Sequence, residues 1–200
     1  MTGRTARSIS TRRHFVDVAL RLFQEKGYAQ TSMAQIAQAA GGSRANLYLY
    51  FNSKSQLVMT RMRELEPEVE ELYAALDELP DHSPGTMLGW IDRARQMWFR
   101  YAAEFEAISQ AMSAGTDILE EWLALIQRMC QAQTVLYRDC ASEEERLDRE
   151  AHMVTLMMSL ERNFYFLYVR KRGDHDQEDR ILATLAGQWA RLFEPRAQPF

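Results

Sequence analysis

The chain has almost no cysteine: Cys130 and Cys140 are the 2 in 200 residues. That excludes a small fold held by several disulfides and fits a reducing compartment. If one helix carries both thiols, ten residues of rise hold them roughly 15 Å apart, too far for a bridge. No apolar run approaches the ~18 residues of a membrane span. The basic N-terminal stretch from Met1 to Phe15 lacks the apolar segment of a secretory signal. His14, His82, His152 and His175 lie in separate segments without metal-ligand spacing. A P-loop, a Gly-rich dinucleotide turn and a nucleophile elbow are all missing. No catalytic residue, cofactor or metal is assigned, and the expectation is a cytoplasmic protein that is not an enzyme. Alternating strand patterns, internal repeats and low-complexity tracts are missing as well.

Helical periodicity and an uneven distribution of charge are what the chain does contain. With 46% hydrophobic residues it can bury a core. Residues 1–63 hold ten Lys/Arg against two acids (Asp17 and Glu25), a net +8, whereas the whole chain carries −4. A basic head on an acidic body attracts polyanions at one end only. The apolar spacing predicts helices over about 11–26, 32–40, 43–51, 54–77, 86–103, 105–113, 117–140, 143–171 and 176–193. In the first, Phe15, Val16, Ala19, Leu22 and Phe23 share a face, and Gly27 stops it. Pro67 falls inside the fourth, as a kink or a new start. Ser142 and Glu145 make a capping-box pattern. The expected architecture is all-α: a helix-turn-helix head over 1–53 and a helical-bundle body over 54–200.

The stretch from Thr31 to Leu57 carries the chemistry. A helix-turn-helix needs small residues where its helices cross, a glycine turn, and polar groups at the start of the second helix. Ala37 and Ala40 meet the first demand and Gly41 the second, while Ser43, Arg44 and Asn46 meet the third. Arginine can bond guanine bidentately, and asparagine can do so with adenine. Thr31 or Ser32 caps the first helix, and Ala45, Tyr48, Tyr50 and Lys54 complete the set expected at DNA. Taken singly, each tyrosine is better explained as core and Arg44 as a solvated charge. Leu47 and Phe51 already supply the i, i+4 core contact, however, so at least one tyrosine should face outward.

These residues together resemble the TetR family of bacterial transcriptional regulators. The match runs through Thr31-Ser32, Ile36-Ala37, Ala40-Gly41, Ser43, Tyr48-Leu49-Tyr50-Phe51, Lys54 and Leu57. It departs at Gly42, where that family has an apolar residue, at Ala45, where glycine is common, and at Asn46, which would contribute to operator specificity. The resemblance implies a homodimer that binds double-stranded operator DNA, with a small apolar or aromatic effector in the body. It also implies a dimer interface on the last two long helices. The body resembles the EthR-like branch through Leu119-Glu120-Glu121-Trp122 and the Glu161-Arg162 pair. Met157 and Leu160 stand where that branch carries asparagines, which implies a more apolar pocket.

Within the body, Trp98, Phe105, Met112, Trp122, Ile126, Met129, Met157, Phe164 and Trp189 are the expected lining of an adaptable apolar chamber. A plain bundle core explains each of them singly. Leu160, Leu167, Leu182, Ala186 and Phe193 are the expected dimer contacts. The functional expectation is a ligand-released repressor, with movement passing through helix 54–77 and Pro67 as pivot or static kink. Two alternatives stay open here. One is a DNA-binding regulator controlled by a protein partner. The other is a helical-bundle enzyme or carrier with a degenerate head.

Overall fold

The computed structural model describes residues 3–171 and 174–194. Its elements are α1 (Gly3–Lys26), α2 (Met33–Ala39), α3 (Arg44–Tyr48), α4 (Lys54–Ala74), α5 (Pro84–Arg100), α6 (Ala102–Met112), α7 (Thr116–Gln131), α8 (Glu143–Phe164) and α9 (His175–Leu192). A π-helical turn, Tyr165–Val169, continues α8. No strand occurs among the described residues, so the all-α expectation stands. No described helix is long and apolar enough to cross a membrane.

α1 begins well before the predicted residue 11 because nothing from Arg4 to Ser10 breaks a helix. Ser8, Ile9 and Ser10 are exposed, so no buried stripe there marks the helix for periodicity. Gly27 ends the helix at φ +88°, a left-handed conformation that glycine adopts freely. α7 differs more. It stops at Gln131 instead of running to 140. Asp77 accounts for the stop: its carboxylate accepts from the backbone N–H of Thr134 (2.7 Å) and of Val135 (3.0 Å), drawing the chain out of helical register. Cys140 therefore lies beyond α7, and both cysteines are free thiols. Burial pushes the Cys130 thiol up to about 12, so it is not a reactive thiolate.

The chain divides into two compact units, and the division does not follow the sequence boundary at 53/54. One unit holds the residues through Glu66 together with Ala103–Trp122; the other holds Pro67–Ala102 and the residues from Leu123 onward. The head unit is built on Phe15, Val16, Ala19, Phe23, Ile36, Leu47, Phe51 and Val58, joined by Ala107, Ile108 and Ala111 of α6 and Ile118 of α7. Phe105, Met112 and Trp122 pack against that same core. This corrects their assignment to a body chamber. Their helical stripe is apolar as expected, but it faces the head's own interior.

In the body unit α5 packs along α9. Trp90 and Trp189 meet at 4.8 Å between ring centroids, Tyr73 lies 5.5 Å from Trp90, and Trp98 meets Phe164 edge-on at 6.0 Å. Trp90 Nε1 donates to Leu72 O at 2.8 Å, which ties α5 to α4. Trp98, Ile126, Met129, Met157, Phe164 and Trp189 are all buried.

Three of the expected dimer residues need correction. Leu160, Leu182 and Ala186 are buried within the chain's own body. On α8 Leu160 continues the inward stripe of Met153, Leu156, Met157 and Phe164, and on α9 Leu182 and Ala186 share the buried stripe of Leu185 and Trp189, both at i, i+3/i+4 spacing. Leu167 is half-buried, and half-buried Phe193 stacks on His82 at 3.9 Å with the rings 12° apart. The residues that α8 and α9 turn outward include Met158 and Phe166, 38% and 50% exposed. A cleft of about 250 Å³ runs there, lined by Ser159, Asn163, Gln177, Arg180, Ile181, Thr184, Leu185 and Gln188. None of the expected effector residues lines it.

Candidate nucleic-acid interface

The two short helices of the head are set by local hydrogen bonds. Ser32, not Thr31, is the cap of α2: Gln35 N donates to Ser32 Oγ (3.3 Å), and Ser32 N donates to Gln35 Oε1 (2.8 Å), a reciprocal capping box. Gly41 turns the chain at φ +69°. Gly42 N reaches back to Ala37 O at 2.9 Å, closing the turn. Ser43 then caps α3 by accepting from Asn46 N at 3.1 Å. α3 ends at Tyr48, earlier than the predicted Phe51, and Leu47 and Phe51 anchor it to the core.

With that anchor fixed, the rest of α3 faces solvent. Ser43, Arg44, Ala45 and Tyr48 are exposed and Asn46 is half-buried. Tyr48 is the outward tyrosine, while half-buried Tyr50 packs on Phe15 with 5.9 Å between centroids. Gly42 lies beside the same ring: a Cβ there would sit 3.6 Å from Phe15 Cζ, an ordinary contact, so the missing apolar side chain is one lost neighbour of Phe15.

Thr31 is corrected. Its side chain is buried, and its one hydroxyl proton is shared within the head between Gly27 O at 2.9 Å and Leu22 O at 3.3 Å. It locks the α1–α2 connection and offers no group to a phosphate. Lys54 has a double attachment: Nζ donates to Tyr28 O at 2.6 Å and lies 4.4 Å above the Tyr28 ring. Partial burial pulls its pKa below the usual lysine range. The ammonium keeps further N–H groups for an anion.

The basic count changes once the chain is folded. The head unit adds Glu64, Glu66, Glu104, Glu106, Asp117, Glu120 and Glu121 to the two acids counted along residues 1–63. Its ten Lys/Arg thus stand against nine acids, a net +1. Arg61 pairs with Glu104 at 2.8 Å and Glu64 at 3.1 Å, and Arg63 pairs with Glu121 at 2.9 Å. These two arginines serve the packing of α4 on α6 and α7. Arg44 stands exposed on the reading helix.

Residues 15–59 match the family described as bacterial regulatory proteins, tetR family. Over those residues the chain is similar to the heads of TetR-family regulators. Over 62 residues it is 44% identical to the HTH-type transcriptional regulator AcrR of Shigella flexneri, covering 31% of this chain and 29% of that protein. Over 132 residues it is 26% identical to the HTH-type transcriptional regulator EthR of Mycolicibacterium smegmatis, covering 64% of this chain and 58% of that protein. The chain thus spans 29% to 58% of the length of these relatives. Among solved structures, NalD, described as the secondary repressor of the MexAB-OprM multidrug efflux pump in Pseudomonas aeruginosa, superposes with a TM-score of 0.61. That likeness covers 90% of this chain and 95% of NalD at 22% identity, and it shows the fold. The segment that matches the family is built on the short pair α2–α3, with α1 and the start of α4 as its scaffold. Sequence reasoning passed over one feature of it: Leu49, next to the outward tyrosine, is 81% exposed.

Proposed function

We propose that the chain is a homodimeric transcriptional regulator, a repressor whose head holds operator DNA and whose body releases it when a small, largely apolar effector binds. The observation that carries this is the outward face of α3, where Arg44, Ala45 and Tyr48 are exposed beside half-buried Asn46. Arg44 and Asn46 suit base edges in the major groove, and Ser32, Ser43, Tyr48, Tyr50 and Lys54 suit the flanking phosphates and sugars.

In the body, two polar atoms support an effector site. Trp189 Nε1 and Gln133 Oε1 are buried without a hydrogen-bond partner. An unmet buried polar group costs about 1–3 kcal/mol. Tyr73 lies beside both: its ring is 6.1 Å from that of Trp189, and its carbonyl accepts from Gln133 Nε2 at 3.3 Å. An apolar molecule with one acceptor and one donor suits such an interior, with Trp98, Ile126, Met129, Met157 and Phe164 as further apolar wall. The outward face of α8 and α9, not the buried Leu160, Leu182 and Ala186, is the surface offered to a second copy. Effector binding favours a body state whose paired heads no longer fit successive major grooves, which lie ~34 Å apart. Pro67 lies within α4, the helix that runs from the one unit into the other. The cytoplasm is the compartment in which this activity belongs.

The test is binding to a duplex selected from a randomised pool, followed by fluorescence anisotropy between 50 and 200 mM salt. A dimer neutralising about 6–10 phosphates loses about 10³–10⁵ in affinity over that range. Salt-insensitive binding, or no selectable sequence, would overturn the reading.

A further inference from the structure

Leu49 is the most exposed large apolar side chain among the described residues, at 81%. A lone exposed leucine is ordinary on a protein surface. This one is not alone. It follows α3 directly, still in the right-handed helical conformation at φ −69°, ψ −21°. Exposed Ala45 stands four residues before it, and exposed Tyr48 is its neighbour. Residues four apart on a helical turn lie on one face. Leu47 and Phe51 are taken up by the core at 0% and 1% exposure, so the register cannot rotate to hide Leu49. The face that carries Arg44 therefore also carries a contiguous apolar edge.

We propose that Leu49, with Ala45 one turn earlier, reads thymine C5-methyl groups in the operator beside the base met by Arg44. In the major groove the only apolar feature that distinguishes one base pair from another is that methyl. A polar group at position 49 could bond a phosphate or a polar base edge; an isobutyl group can bond neither and is left with the methyl. The apolar edge thus converts a position next to the phosphate-facing groups into a sequence-reading one. This inference rests on the DNA-binding reading above.

The test replaces each thymine of the selected duplex by deoxyuridine, one at a time, which removes the methyl and nothing else. Burying one methyl contributes about 0.8 kcal/mol, or about fourfold in affinity. At one or more positions in each half-site the wild type should lose about three- to fivefold. Leu49→Ala should bind the thymine duplex more weakly and lose less than twofold on the same exchange, whereas Leu49→Met should restore the methyl step. Leu49 is solvent-exposed, so these variants should keep the wild-type melting temperature. If every deoxyuridine duplex binds the wild type as the parent does, no methyl is read and the inference falls while DNA binding stands. It falls equally if the methyl step persists in Leu49→Ala. Failure to select any duplex would overturn the underlying DNA-binding reading instead.

Discussion

In the head, the groups available for recognition stand at the surface and the key interior hydroxyl is satisfied: Arg44, Ala45, Tyr48 and Leu49 are exposed, while Thr31 bonds two carbonyls. In the body the placement is reversed. Trp189 Nε1, Gln133 Oε1 and Tyr137 OH are buried with no hydrogen-bond partner. A surface built to meet a large rigid polyanion must display its donors, because the partner cannot enter the protein. A site for a small molecule does the opposite, since a ligand that replaces water must find its few polar contacts inside.

The sharpest way to break that contrast is Trp189→Ala. A buried tryptophan cut to alanine costs about 3–5 kcal/mol of stability. Trp189→Phe keeps most of the volume, should stay within about 1.5 kcal/mol of the wild type, and should weaken effector binding. Denaturant midpoints and an effector titration on both variants decide between filler and binding group. A Trp189→Phe protein with undiminished effector response would leave the indole N–H without a binding role.

Next in size is Arg44→Ala, expected to lose ~1–3 kcal/mol on the selected operator and much less on random duplex. Lys54→Ala should instead weaken all duplexes alike and lower the salt slope by about one. Anisotropy titrations on both DNAs separate the two. Equal losses for Arg44→Ala on operator and random DNA would make it a phosphate contact.

Thr31→Val tests the correction within the head. Removing a hydroxyl that serves two carbonyls should cost about 1–2 kcal/mol in urea denaturation. DNA affinity of the folded protein should be unchanged. A variant of wild-type stability that binds all DNA more weakly would return Thr31 to the phosphate contacts.

The smallest expected effect concerns Glu161, whose carboxyl burial holds above the ordinary 4.5. A carboxyl raised in the folded state binds its proton more tightly there than in the unfolded chain. Its contribution is fully present below about 4.5 and is lost as pH rises through the raised value. Glu161→Gln should therefore melt slightly higher than the wild type at pH 7, with the gain vanishing near pH 4. A lower melting temperature at pH 7 would mean that the ionised carboxylate has a partner.

Much of the head was legible in the sequence because its determinants are local. Ser32 with Gln35, Gly41, Ser43, and Leu47 with Phe51 act over three or four residues, within reach of a cap or a helical turn. The same local rules located the helices of the body. They also left errors wherever a distant partner decides. An apolar stripe says that a face is buried; it does not say against what. Phe105, Met112 and Trp122 satisfied the stripe and joined the head core, and the inward stripe of α8 looked as suitable for a partner subunit as for its own bundle. α7 read as continuous to 140 because the residue that ends it, Asp77, lies 57 positions before Thr134 in the sequence. The chain's charge is in the sequence, but its grouping is not: residues 1–63 sum to +8, and folding brings up Glu104 and Glu121 to hold Arg61 and Arg63. By itself, then, the sequence determined the helices, their caps and the reading motif, since those depend on neighbours along the chain. Tertiary structure alone decided which stripes meet, which cations remain free for DNA and which polar atoms are stranded inside, since those depend on neighbours in space.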